Sequence, residues 1–193
     1  MSRMPELPRL TEEDDLVRRL AAWAAETADD ELAPVATSAT LECAEEMFGL
    51  PLLPLLRRLY EEIADGGFGP GYGLTPLFHA GFGAVDGYPA RIRSRSGGQP
   101  WWPRGVLPVL HWGGGRHAAV DCTSPRGSVL YYAPGVGQTG AADTWIVESE
   151  SLAEWLESWM HGTRWQRKPG CHSRTPDGPI LWDALSSRLG SAD

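Results

Sequence analysis

From residue 12 to residue 28, apolar side chains return at helical spacing, with Leu16, Leu20 and Trp23 on one stripe. Thr11 followed by Asp14 resembles a capping box, so the pattern predicts an amphipathic helix over this stretch. After the break at Pro34, Ser38 or Thr40 can cap a short helix in which Leu41, Cys43, Met47 and Phe48 supply apolar surface before Gly49 stops it. A third helix begins after Pro51. Pro54 is tolerated in its first turn because the N–H groups there have no helical partner. Leu52, Leu56, Leu59, Tyr60 and Ile63 form its apolar stripe, and Arg57, Arg58, Glu61 and Glu62 face water.

The period changes at residue 66, where glycine, proline and aromatic residues punctuate short apolar runs such as "YGLTPLF", and helices are expected to give way to sheet. Residues 83 to 105, with Arg91, Arg93 and Arg95 and the stretch "RSRSGGQPWWPRG", read as an exposed excursion. "VLPVLHWGGGRHAAVDC" predicts two strands joined at Gly113 to Gly115, "GSVLYYAP" a third strand and "DTWIVE" a fourth. Ser149 or Ser151 then caps a helix carrying Leu152, Trp155, Leu156 and Trp159, which Gly162 ends. Beyond it "KPGCHSRTPDGP" is turn-like. "ILWDALSSRL" is either a short helix docking Trp182 and Leu185 or a mobile tail.

Composition sharpens this outline. A chain of 193 residues with nine tryptophans has enough apolar surface for one domain spanning residues 1–193, while 23 glycines and 16 prolines make it loop-rich. The net charge of −8 disfavours non-specific binding to nucleic acid or anionic membrane and favours a basic partner, although acidity also serves solubility. Sixteen arginines against the single Lys168 suggest the codon bias of a GC-rich bacterial genome. Neither a signal peptide nor a membrane span is visible, and Cys43, Cys122 and Cys171 form no disulfide framework, so a cytoplasmic location is expected.

Four features invite a chemical reading. The loop "ADGGFGPGYG", residues 64 to 73, is glycine-rich, but it follows a helix instead of a strand, misses the dinucleotide spacing and has no adjacent Gly-Lys-Ser/Thr for a phosphate. It reads as chain reversal: Gly66 or Gly67 takes a left-handed conformation, Pro70 and Gly71 make a second turn, and Phe68 and Tyr72 pin the corner to the core. A three-residue loop at Gly113 to Gly115 would set Trp112 opposite Arg116 and His111 opposite His117 on one sheet face. Asp121 shares that face but lies about 13 Å along the strand from His117, at ~3.3 Å per residue, and Cys122 points the other way, so no metal site closes locally. Cys171 and His172 are neighbours that point apart, and Glu61, Asp86 and His117 could form an acid–base set only by distant assembly. No catalytic, cofactor-binding or metal-binding residue is therefore assigned. Trp101 and Trp102, in a Pro-Trp-Trp-Pro stretch, together with Arg91, Arg93 and Arg95, are the expected exposed partner-binding residues, with at least one of the two rings serving the core.

"LPLLPLLRRLYEEIADGGFGPGYGL", "WPRGVLPVLHWGGGRHAAVDC" and "SLAEWLESWMHG" in this order resemble the SUKH superfamily, which includes the yeast cell-wall assembly regulator and many bacterial immunity proteins. The likeness covers about residues 38–162 and leaves an N-terminal helical extension, 1–37, and a C-terminal extension, 163–193. Asp65, Gly66 and Gly67 stand where many relatives have Asn-Gly-Gly, which keeps the turn chemistry. The resemblance implies an α+β fold with a mostly antiparallel sheet of about four to six strands packed against helices. It also implies a non-catalytic, cofactor-free domain that binds a protein partner, such as a basic toxin domain. Regulatory scaffolding is the alternative, and a cryptic enzyme or metalloprotein around His111 and His117 a third reading.

Overall fold

Leu16, Val17, Leu20 and Ala24 recur at helical spacing and are buried, which gives α1 (Glu12–Thr27) one face against the core. The computed structural model describes residues 12–27, 31–96, 99–134, 145–163, 182, 188 and 189, with the backbone alone at 95, 96, 99 and 100. Thr11, the expected N-cap of α1, lies outside the described residues.

The cap of α2 (Ser38–Phe48) is Thr37, in place of the expected Ser38 or Thr40. Thr37 is extended (φ −74°, ψ 159°) and its side-chain oxygen accepts from the Thr40 N–H at 3.1 Å, while Ser38 is already helical. Gly49 ends this helix at φ +81°, and its N–H donates to the Glu45 carbonyl. The stripe of α2 is Leu41, Ala44 and Phe48, because Cys43 and Met47 turn outward. α3 (Pro54–Glu62) has Pro in its first turn and buries Leu55, Leu56, Leu59 and Tyr60. Its charged face does more than meet water: Arg58 reaches Asp14 of α1 at 2.9 Å and Glu62 at 2.6 Å, and Arg57 reaches Glu45 of α2 at 3.1 Å. Such part-exposed pairs contribute at most about 1 kcal/mol each, so they orient helices that burial holds together.

Residues 64–87, expected to begin the sheet, instead form a loop held by backbone hydrogen bonds. Gly67 N–H donates to Leu74 O at 2.8 Å, Leu74 N–H to Phe68 O at 2.6 Å, and Gly73 N–H to Pro70 O at 2.9 Å. The Asp65 carboxylate accepts from the Leu77 N–H at 2.8 Å, which ties the start of the loop to its middle. Phe68 is buried as expected, but Tyr72 is 83% exposed, because the chain turns it outward at the tip. Gly66 and Gly67 both have positive φ, +84° and +79°, yet they differ in surroundings. A Cβ on Gly66 would sit 2.7 Å from both Leu74 O and Pro76 N, whereas one on Gly67 would meet nothing within 4 Å. Gly67→Ala should therefore cost about 1 kcal/mol of unfolding free energy and Gly66→Ala about 2–4 kcal/mol, measured by urea denaturation. Equal losses at the two positions would refute the packed corner.

Residues 83–105 are also less exposed than their charge suggests. Ala84, Val85 and Tyr88 are buried, and α4 (Tyr88–Arg93) and the ribbon of β1 (Arg95–Ser96) with β2 (Gln99–Pro100) occupy the stretch. The Tyr88 hydroxyl accepts from the Gly105 N–H at 2.8 Å, and its ring meets Phe48 edge-on at 4.7 Å, which docks α4 on α2.

The main sheet is antiparallel, in the order β3 (Val106–Gly113), β4 (Arg116–Asp121), β5 (Val129–Tyr132), β6 (Trp145–Ser149). With five helices among the described residues, this is the α+β arrangement expected. Val106 through Leu110 are buried without alternation, so the sheet is covered on both faces there. α5 (Leu152–Met160), capped by Ser151 through the Glu154 N–H at 3.2 Å, buries Leu152, Trp155, Leu156 and Trp159. It packs with α3 and α1, and Trp23 of α1 meets Trp159 edge-on at 4.2 Å.

Candidate functional site

Sheet register builds the site. Cross-strand partners run His111↔His117, His117↔Tyr132 and Tyr132↔Trp145, so four side chains form one row across β3 to β6 on one face. The expected facing of the two histidines holds, with ring centroids 4.8 Å apart. The expected facing of Trp112 and Arg116 does not. Gly113 pairs with Arg116, and the register shifts between His111 and Gly113, which leaves Trp112 as the extra residue of a bulge. Its ring lies over Gly71, where a Cβ would sit 2.6 Å from the indole.

Trp102 lies on that row and is 1% exposed, which corrects the expectation that it is offered to a partner. Its indole N–H donates to Val106 O at 2.8 Å, and its ring meets Trp145 at 4.9 Å, His117 at 5.6 Å and Trp101 at 5.3 Å, all edge-on. It is the second of the two rings that serves the core, held there because its one polar atom finds a carbonyl. Trp101 is half-buried, stacked at a tilt on Tyr132 at 5.0 Å, and its carbonyl accepts from the Trp145 indole N–H at 3.2 Å. Trp182 adds a ring 6.3 Å from Trp145.

α4 sets Arg91 above this floor. The guanidinium lies 5.0 Å from the Trp102 ring centroid, and its Nη1 is 3.2 Å from His117 Nε2. A guanidinium only donates, so Nε2 accepts and His117 is the neutral tautomer with its proton on Nδ1. Burial first, then the charges of Arg91 and His111, pushes the His117 pKa down to about 3. Burial alone lowers the Arg91 pKa from its ordinary value. Of the other expected partner-binding residues, Arg93 is exposed at the end of α4 and Arg95 opens β1, its side chain outside the described part.

The remaining chemical candidates are engaged elsewhere. Asp121 Oδ1 accepts from the Thr123 N–H at 3.0 Å and its hydroxyl at 2.6 Å, and Oδ2 faces Arg188 at 3.6 Å, so this carboxylate shapes the turn after β4. Burial pushes the Cys122 thiol up to about 12, which leaves it a packing group. Asp86 Oδ2 caps the N–H groups of His79 and Gly81, and Glu61 faces Arg57 on α3, so neither joins His117. Cys171 and His172 lie outside the described residues. Among the described residues no three His, Cys, Asp or Glu side chains gather into a metal-binding group. Tyr132 and Trp145 were the members missed from sequence, and the signal was the alternation of β5 and β6 once both are set beside His117.

Among the described residues no helix is long and apolar enough to cross a membrane. A family model matches residues 35–158, that of the SMI1 / KNR4 family (SUKH-1). No curated protein matches the chain.

Proposed function

Because the chain belongs to the SMI1 / KNR4 family (SUKH-1), whose domains generally bind protein partners, we propose that it is a non-catalytic immunity protein that occludes a cognate bacterial toxin. The observation that carries this reading is the family match over residues 35–158. The net charge of −8 supports it, because a toxin that grips nucleic acid presents a basic surface and opposite charge speeds capture. Its working place in this reading is the bacterial cytoplasm, where the toxin would act.

The partner-facing residues are proposed as Trp101, Arg91, Arg93 and Arg95, of which Trp101 and Arg91 pack on the buried Trp102. Half-buried aromatic rings beside arginine are the usual composition of binding hot spots.

Co-expression provides the test. Cells carrying a candidate toxin gene should survive when this chain is present and die without it. A pulldown that recovers several endogenous proteins from cells lacking any toxin, with no rescue of growth, would instead establish a regulatory scaffold.

A further inference from the structure

Among the described residues Arg91 has no carboxylate counter-ion. Arg19, Arg57, Arg58, Arg126 and Arg188 each meet a carboxylate, whereas Arg91, among the described residues, meets the Trp102 face and the His117 ring. Its Nε is buried with no hydrogen-bond partner, and the desolvation that lowers its pKa is opposed by no nearby negative charge. Partly buried cations are normally neutralised by an ion pair, because the loss of hydration is otherwise uncompensated.

The surroundings present donors. Arg91 fixes the neutral His117 with its N–H at Nδ1, and the Gly113 N–H donates to His111 Nδ1 at 3.3 Å, which leaves the His111 proton on Nε2. Each ring therefore keeps one N–H donor, and the His117 ring that carries one is in contact with the guanidinium through its other nitrogen. We infer that Arg91, with His111 and His117 beside it, is the docking point for a single carboxylate carried by the protein partner. The planar guanidinium suits a carboxylate, and Arg91 remains partly exposed. The net charge of −8 repels a polyanion such as nucleic acid, yet admits one acidic side chain on an otherwise basic surface. The protein-binding reading supplies the source of this carboxylate, while the site stands on the unpaired arginine.

Acetate is the probe. The purified chain is titrated with sodium acetate against sodium chloride at constant ionic strength and pH 7.5, following histidine ring and tryptophan indole resonances. The His111, His117 and Trp102 signals should shift saturably, with half-saturation on the order of ten millimolar. Arg91→Gln should abolish the shifts, and Arg91→Lys, which keeps charge but loses the planar fork, should weaken them about fivefold or more. If Arg91→Gln loses the native indole spectrum, Arg91→Lys carries the comparison. Shifts no larger than those with chloride, or equal half-saturation in wild type and Arg91→Lys, would overturn the inference. So would inorganic phosphate binding about tenfold more tightly than acetate, which would make the site one for phosphate. A saturable acetate site in a chain that fails to bind a toxin would sink the neutralisation reading alone.

Discussion

Trp102→Ala should lower the free energy of unfolding by about 4 kcal/mol and the melting temperature by about 10 °C. Three costs combine in this variant. The indole is fully buried, so its removal leaves a cavity beneath α4 and between Trp145, Trp101 and His117. Val106 O loses its side-chain donor, and the Arg91 guanidinium loses the ring it lies on. Trp101→Ala removes a ring that is only half-buried and stacked on Tyr132, so its cost should be about 1–2 kcal/mol. Urea denaturation of the two single variants separates the roles: equal losses would contradict the division into a fully buried ring and a half-buried one. A double replacement therefore confounds binding with stability, and Trp101→Ala alone is the variant for binding studies.

The second large effect is on pH. His117 is neutral in the fold, with its pKa held down to about 3 by burial and by Arg91, while in the unfolded chain it titrates near 6.5. Between these values the unfolded state binds a proton that the folded state refuses, so the contribution of His117 is fully present above pH 6.5 and is lost as pH falls towards 3. The slope is about 1.4 kcal/mol per pH unit for one proton. Protonation would also remove the acceptor at Nε2 and set an imidazolium 3.2 Å from a guanidinium. Unfolding free energies measured from pH 7.5 to 4.5 should fall more steeply for wild type than for His117→Gln, by about one proton's worth. Parallel curves would show that the imidazole is already solvated or charged in the fold.

How far sequence reaches is clearest element by element. α1, α3 and α5 were readable because apolar stripes at helical spacing are produced by burial itself, and all four residues expected on α5 are buried. The strands around Gly113 to Gly115 were readable for a similar reason, since turn residues divide two apolar runs. Tyr72 and Trp102 misled in opposite directions. Tyr72 is an aromatic residue that tight turns throw outward, and Trp102 sits among arginines and prolines that suggest exposure, yet its indole N–H reaches Val106 O. Neither outcome is written in local pattern, because each depends on what the chain brings back from elsewhere. The same holds for the site. His111 facing His117 followed from the hairpin, but the bulge at Trp112 and the seating of Arg91 on Trp102 needed α4 folded over the sheet.

The N-terminal extension also gains a role. Its helix α1 lies outside the family match, yet Leu16, Val17, Leu20 and Ala24 belong to the same buried cluster as α3 and α5, and Arg19 bridges Asp15 and Glu157 of α5 at 2.7 Å each. Trp182 and Arg188, from the other extension, reach Trp145 and Asp121. Both extensions thus add packing to the family fold.

Glycine-rich "ADGGFGPGYG" belongs to this scaffold too, with the N–H groups of Gly66, Gly67 and Gly73 donating to carbonyls of the same loop and that of Asp65 to Pro34 O. One measurement tests the proposed protein-binding role most directly: calorimetric titration of the purified chain with a candidate toxin domain. The account predicts a one-to-one complex with a dissociation constant of about a micromolar or tighter, weakened by Trp101→Ala without loss of fold. A dissociation constant no tighter than about a millimolar would contradict it.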